Sequence, residues 1–233
     1  MTDETQHDDL RTIYAWHFSD GTLSYGDARP IIPGLALTCE PEDISLCGFG
    51  FHANLDIIDV LQYAPGAVLS YVECGGKIVQ DDDKLVCSQR RHLAVVDITN
   101  TLHEFGCWCA EQALALIDNP DPRSLAAIAA KRKWMQGEIS DEELAYAAYA
   151  AYAADVPDAA YAVVHAAAHM ARVTSAAYAA KVAFYAASAA SAAYAAHSAA
   201  YAAHSTAHAA HAAAHAVQSK QLLEMVLSLP EFA

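Results

Sequence analysis

Short apolar runs separated by turn residues fill the first part of the chain, and a helical periodicity replaces them later. Thr12-Ile-Tyr-Ala-Trp-His-Phe18 alternates or runs apolar and is closed by Ser19-Asp-Gly21, which predicts a strand and a turn. Arg29-Pro30 and Ile32-Pro33-Gly34 break the chain, and Leu35-Ala-Leu-Thr-Cys39 resumes an extended pattern. Gly48-Phe-Gly-Phe-His52 reads as a strand approached closely by other backbone. From Asn54 to Tyr63 the spacing of Leu55, Ile58, Leu61 and neighbours predicts one short helix, with Asn54 as N-cap and Pro65-Gly66 as stop. Val68-Leu-Ser-Tyr-Val72 and Gly76-Lys-Ile-Val79, on either side of Gly75, are strand candidates, as are Leu85-Val-Cys87 and His92-Leu-Ala-Val-Val96.

Helices follow. Thr101-Leu-His-Glu104 has the form of a capping box, in which hydroxyl and carboxylate satisfy orphan backbone N–H groups, and predicts a helix from there to about Ile117. Asp121 with Pro122 at the first helical position starts another, which runs to Met135 before Gly137. Ser140-Asp-Glu-Glu143 is a second capping box and opens an Ala-rich segment. Between Ala145 and Ala216, 38 of 72 residues are Ala and none is Gly, a strongly helix-forming composition. The predicted fold is therefore an α+β N-terminal domain of short, mainly antiparallel strands (1–118), a helical connector (119–143), and an all-α Ala-rich hairpin or bundle (144–233).

Charge sharpens the division. The chain carries a formal net charge of −15, and residues 1–118 hold 19 acidic against 6 basic side chains. Such a domain repels nucleic acid. The acidic start has no apolar run, and no stretch is long and apolar enough for a membrane span, so a cytoplasmic protein is expected. The six cysteines form no CxxC pair; on a helix the thiols of Cys107 and Cys109 would point about 200° apart, so neither disulfides nor a metal site is expected.

The Ala-rich segment carries a seam. Tyr194, Tyr201, His208 and His215 recur every seven residues, and His197, His204 and His211 recur every seven beside them. Large side chains in such a register fit between closely approaching Ala-lined helices, within the chain or between copies, so the seam is expected to serve packing and homo-oligomerisation. Metal pairs at His165/His169, His204/His208 and His211/His215 are geometrically allowed, but no local acid or cysteine completes them. Buried neutral histidines would make this assembly loosen below about pH 6.

Tyr14-Ala-Trp-His-Phe18, Gly48-Phe-Gly-Phe-His-Ala-Asn54, Asp59-Val-Leu-Gln-Tyr-Ala-Pro-Gly66, Val72-Glu-Cys-Gly-Gly-Lys77 and Asp82-Asp-Lys84 resemble an uncharacterised domain family of phage and prophage proteins, over roughly residues 12–117. The resemblance implies a phage origin and action in an infected bacterium. On it, and on the acidity, rests the leading expectation. This is an interaction protein that binds and inhibits a host defence or nucleic-acid-handling protein, such as a CRISPR effector, through a basic groove. Asp81, Asp82, Asp83, Glu40, Glu42 and Asp43 are the candidate binding acids.

A more distant similarity gives the alternative. Trp16-His-Phe-Ser-Asp-Gly-Thr22 and Gly50-Phe-His-Ala-Asn54 look like the first two motifs of ADP-ribosyltransferases, which implies that His17 and His52 hold NAD in an enzyme or an inactive descendant. That family's third element, a catalytic Glu, has no clear match; Glu73 and Glu104 are candidates by elimination. On the leading reading there is no cofactor. The test between them is whether His17 and His52 share a cleft with a carboxylate opposite.

Overall fold

The alternation at residues 12–18 becomes strand β1 (Ile13–Ser19), which buries Ile13, Ala15, Trp16, Phe18 and Ser19. The computed structural model describes residues 11–23, 29–116, 118–152 and 203–232. They fall into two compact units, Met1–Asp97 and Ile98–Ala233. This division places the first long helix with the helical unit, ahead of the composition change at residue 118.

In the first unit β1 is followed by β2 (Ala36–Thr38), β3 (Phe51–Ala53), helix α1 (Ile57–Leu61), and the long hairpin strands β4 (Val68–Gln80) and β5 (Leu85–Asp97). All pairings are antiparallel: β1 on β4, β4 on β5, and both β2 and β3 on β5, β2 at Gln89–Arg91 and β3 at Leu85–Cys87. Trp16 and Asn54 exchange backbone hydrogen bonds of 2.7 and 3.0 Å. The sheet thus curls until β1 meets the end of β3. Ile13, Ala15, Ala53, Val72, Cys74, Leu85 and Cys87 form a core cluster inside that curl.

Where the sequence suggests two pairs of short strands, the ladder runs through. Gly75 and Gly76 do not end β4; the register with β5 shifts between Gly75 and Ile78, which is a bulge. Gly76 sits at φ +67°, and a Cβ there would lie 2.2 Å from Ser88 Oγ, so glycine admits the extra residue. The cap of α1 also differs. Asp56 caps it, accepting from Ile58 N at 2.8 Å, because Asn54 is occupied in its bridge to Trp16 and donates its side-chain amide to the Asp83 carbonyl.

The second unit is helical: α2 (Thr99–Leu114), α3 (Pro122–Met135), α4 (Asp141–Tyr152), α5 (Ala203–Leu227) and a 3-10 turn (Pro230–Phe232). Asp121 caps α3 through Arg123 N at 2.8 Å, with Pro122 at the first position. Ser140 and Glu143 form the reciprocal box at the start of α4, at 2.8 and 3.2 Å. The Thr101/Glu104 box does not form. The helix already runs from Thr99, and Glu104 is taken by Arg132 of α3 at 2.6 Å, a charge-assisted bond stronger than a cap.

Small residues let α3 and α4 approach: Ala127, Leu144, Ala148 and Ala151 are buried together against Trp134 and Ile139. Helix α5 packs against α2 and buries Gln218, Leu222 and Val226, four residues apart on one stripe. The middle of the Ala-rich segment, with Tyr194, His197 and Tyr201, lies outside the described residues, as do the side chains of His204 and His208. Of the remaining seam positions on α5, His211 is exposed and His215 partly exposed, so the expected burial is absent there. Among the described residues no helix is long and apolar enough to cross a membrane.

Candidate functional site: a cavity in the first unit

The curl of the first unit leaves a cavity of about 850 Å³. This lies within the range typical of small-ligand sites. One wall is β2 with its flanks, Leu35 to Cys39; a second is the turn from Cys47 to Gly50 running into β3. His17 and Phe18 of β1, Val60, Tyr63 and Pro65 around the end of α1, and Lys84 and Arg90 of β5 close it.

Two glycine-dependent features shape the second wall. Ser45 organises the turn, accepting from Gly48 N at 3.1 Å through its carbonyl and from Phe49 N at 3.3 Å through its hydroxyl. Gly50 follows at φ +117°, where a Cβ would meet Val86 Cγ2 at 2.6 Å and Ile44 behind it. Only glycine lets β3 come down onto β5 at that point. As a result Phe49 stands 55% exposed at the mouth.

Tyr63, 53% exposed, stands at the same mouth and is fixed by charge. Its hydroxyl donates to Asp83 Oδ2 at 2.5 Å and accepts from Lys84 Nζ at 3.3 Å, while Lys84 also pairs with Asp83 at 3.2 Å. These contacts hold the Asp83 carboxyl below its usual range, Tyr63 first, and the Lys84 ammonium above its own, again with Tyr63 first. Asp83 is therefore engaged within its own unit. Asp81, Asp82, Glu40, Glu42 and Asp43 are exposed on turns, the first two at the β4–β5 hairpin tip.

Arg90 is the unusual lining residue. It is 5% exposed; its Nη1 donates to the His52 carbonyl at 2.9 Å, its guanidinium lies 5.3 Å over the Phe51 ring, and its Nε has no hydrogen-bond partner. The His17 ring hydrogen-bonds the same His52 backbone. It also meets His92 edge to face at 5.9 Å. Burial is the main reason that all three histidines are held below their ordinary pKa, with Arg90 next; His92 falls to about 3. At neutral pH the imidazoles are uncharged. Arg90 is then the one full charge at the centre of the group.

His17 and His52, the two NAD-binding candidates, thus share one cavity. The carboxylate expected opposite them is missing: among the described residues no Asp or Glu lines the cavity. Glu73 instead pairs with Arg91 at 2.9 Å, and Glu104 belongs to the helical unit with Arg132. Among the described residues no three His, Cys, Asp or Glu side chains are placed to hold a metal ion. Sequence reasoning overlooked Arg90. It stands in the polar run Ser88-Gln89-Arg90-Arg91-His92 of β5, where nothing in the sequence sets it apart from its neighbour Arg91.

Residues 29–104 match a domain of unknown function, DUF7666. The match takes in β2 to β5 and most of the cavity lining, Arg90 and His52 included, but not His17 on β1. Among curated proteins and among solved structures nothing matches the chain.

Proposed function

We propose that the first unit is a binding domain for a small anionic ligand, which it takes into the 850 Å³ cavity. One observation carries this reading. In a chain of net charge −15, Arg29, Lys84 and Arg90, half of the six basic residues before position 119, line one cavity that no described acid enters. Neutral histidines add hydrogen-bond donors and acceptors without adding charge, which suits recognition more than acid–base chemistry at pH 7. NAD, the ligand of the ADP-ribosyltransferase reading, is one anion of this class, although no described carboxylate stands where glycosyl transfer would use one.

The test is a thermal-shift and calorimetric screen of the purified chain against phosphorylated, carboxylated and neutral small molecules. Saturable 1:1 binding of an anion is expected. Binding of neutral molecules alone would overturn the reading.

A second reading rests on the exposed carboxylates of Glu40, Glu42, Asp43, Asp81 and Asp82. These would steer the domain to a basic protein surface, consistent with a phage protein acting on a host nucleic-acid-handling machine in the bacterial cytoplasm. Charge reversal at Asp81 and Asp82 would then abolish capture of that partner at low salt.

A further inference from the structure

We infer that Arg90 is the anion clamp of this cavity and that the ligand is a nucleotide, with its phosphate on the guanidinium and its base against Phe49 and Tyr63. The inference rests on the ligand-binding reading above and adds the chemical class and the residues that select it.

A buried guanidinium normally faces a carboxylate, because removing the charge from water is costly unless it is paired. Among the described residues Arg90 has no such partner. The titratable groups near it are His17, His52 and His92, all held toward the neutral form, and the thiols of Cys74 and Cys87 on β4 and β5. Its Nη1 donates to the His52 carbonyl and so fixes the plane of the group. The opposite edge, Nε with Nη2, is the fork that receives two oxygens of a phosphate or carboxylate side by side. Nε is left without a partner there. The Phe51 ring, 5.3 Å from the guanidinium carbon, packs against the group, whose Nε is buried, so an entering anion would reach it from the cavity that Arg90 lines.

The aromatic half of the argument is independent of charge. Phe49 and Tyr63 are large rings more than half exposed, on different elements, both lining this cavity. The Tyr63 hydroxyl is held by Asp83 and Lys84, and the backbone N–H of Phe49 by the Ser45 hydroxyl. Exposed rings lining the same cavity as a buried cation are complementary to a flat heteroaromatic base carrying a phosphate. A sugar phosphate would use the cation and leave the rings wet; a neutral nucleoside would do the reverse.

Calorimetric titration with adenosine, AMP, NAD+ and inorganic phosphate, on the wild-type chain and on Arg90→Met, Arg90→Lys and Arg91→Met, tests this. Wild type should bind AMP or NAD+ about tenfold to a hundredfold tighter than adenosine. Arg90→Met should bind all three equally weakly, and Arg90→Lys should keep a reduced phosphate preference. Arg91→Met, one residue on and paired outward with Glu73, should behave as wild type. If another anion binds wild type but adenosine matches AMP, or if folded Arg90→Met keeps the preference, the clamp is refuted and the cavity reading stands. If no anion binds wild type, both fall. Should Arg90→Met fail to fold, Arg90→Lys, which keeps the charge and loses the fork, decides the matter by the same comparison.

Discussion

Arg90 donates through Nη1 to the backbone carbonyl of His52 across 2.9 Å, so a buried cation is held by a neutral dipole where a carboxylate would be usual. This arrangement should cost stability. Replacing Arg90 by Met, of similar length and without charge, is expected to leave the first unit equally stable or to stabilise it by about 1–2 kcal/mol. Urea unfolding followed by far-UV circular dichroism checks it. A loss above about 2 kcal/mol would mean that the bond to His52 and the contact with the Phe51 ring outweigh the desolvation cost.

The histidine cluster makes the first unit sensitive to acid. His17, His52 and His92 have folded pKa values below the unfolded 6.5, His92 at about 3, so the unfolded chain binds more protons in that window. Their contribution is complete above pH 6.5 and is lost as pH falls toward the folded values. Each histidine then removes about 1.4 kcal/mol per pH unit. His92→Phe should flatten the stability profile between pH 6.5 and 4 by that slope; an unchanged profile would show that His92 is protonated without opening the sheet. An anion on Arg90 should oppose the acid loss, since it favours the charged imidazoles beside it.

How far the sequence foretold this site depends on the kind of signal. Alternation and turn residues located β1, the course of β4 and β5, and the caps at Asp121 and Ser140, because each is a local property of a few neighbouring residues. Asn54 and Glu104 were legible as caps and act otherwise, since partners distant in sequence, Trp16 and Asp83 for one and Arg132 for the other, bind them better. The pairing of His17 with His52 came from a motif likeness. Arg90 was invisible to that reading, because a cation's burial is decided by strand register and by a curl closed between Trp16 and Asn54, neither of which is written in its neighbours.

Thiol chemistry reports on the cavity directly. Six free cysteines are present; Cys47 is exposed, Cys39 partly so, and Cys74, Cys87, Cys107 and Cys109 are buried. Burial raises the Cys109 and Cys107 thiols, the latter to about 12, so both are slow nucleophiles as well as shielded ones. A maleimide should label Cys47 first and Cys39 second, with the buried four reacting only on unfolding. Because both accessible thiols line the cavity, a bound ligand should protect them and their modification should block binding. Labelling at equal rates with and without saturating ligand would place the ligand elsewhere.

The helical unit contains its own misplaced charge. Lys131 on α3 is fully buried, with its ammonium 4.0 Å over the Trp134 ring, and burial lowers its pKa to about 8 despite nearby Cys107 and Asp141. The unfolded lysine titrates near 10.5, so between pH 8 and 10.5 the unfolded chain holds a proton that the folded chain has released. Stability should therefore rise with pH across that window and be lower by up to about 3 kcal/mol below pH 8. Lys131→Met removes the titrating group while keeping its length. The difference in urea-unfolding free energy between the two proteins, followed at 222 nm, should be largest at pH 7 in favour of Met and vanish near pH 10.5. A less stable Met variant at pH 7 would show that the cation over Trp134 contributes more than its burial costs, and would make Lys131 a structural anchor of α3 on α4.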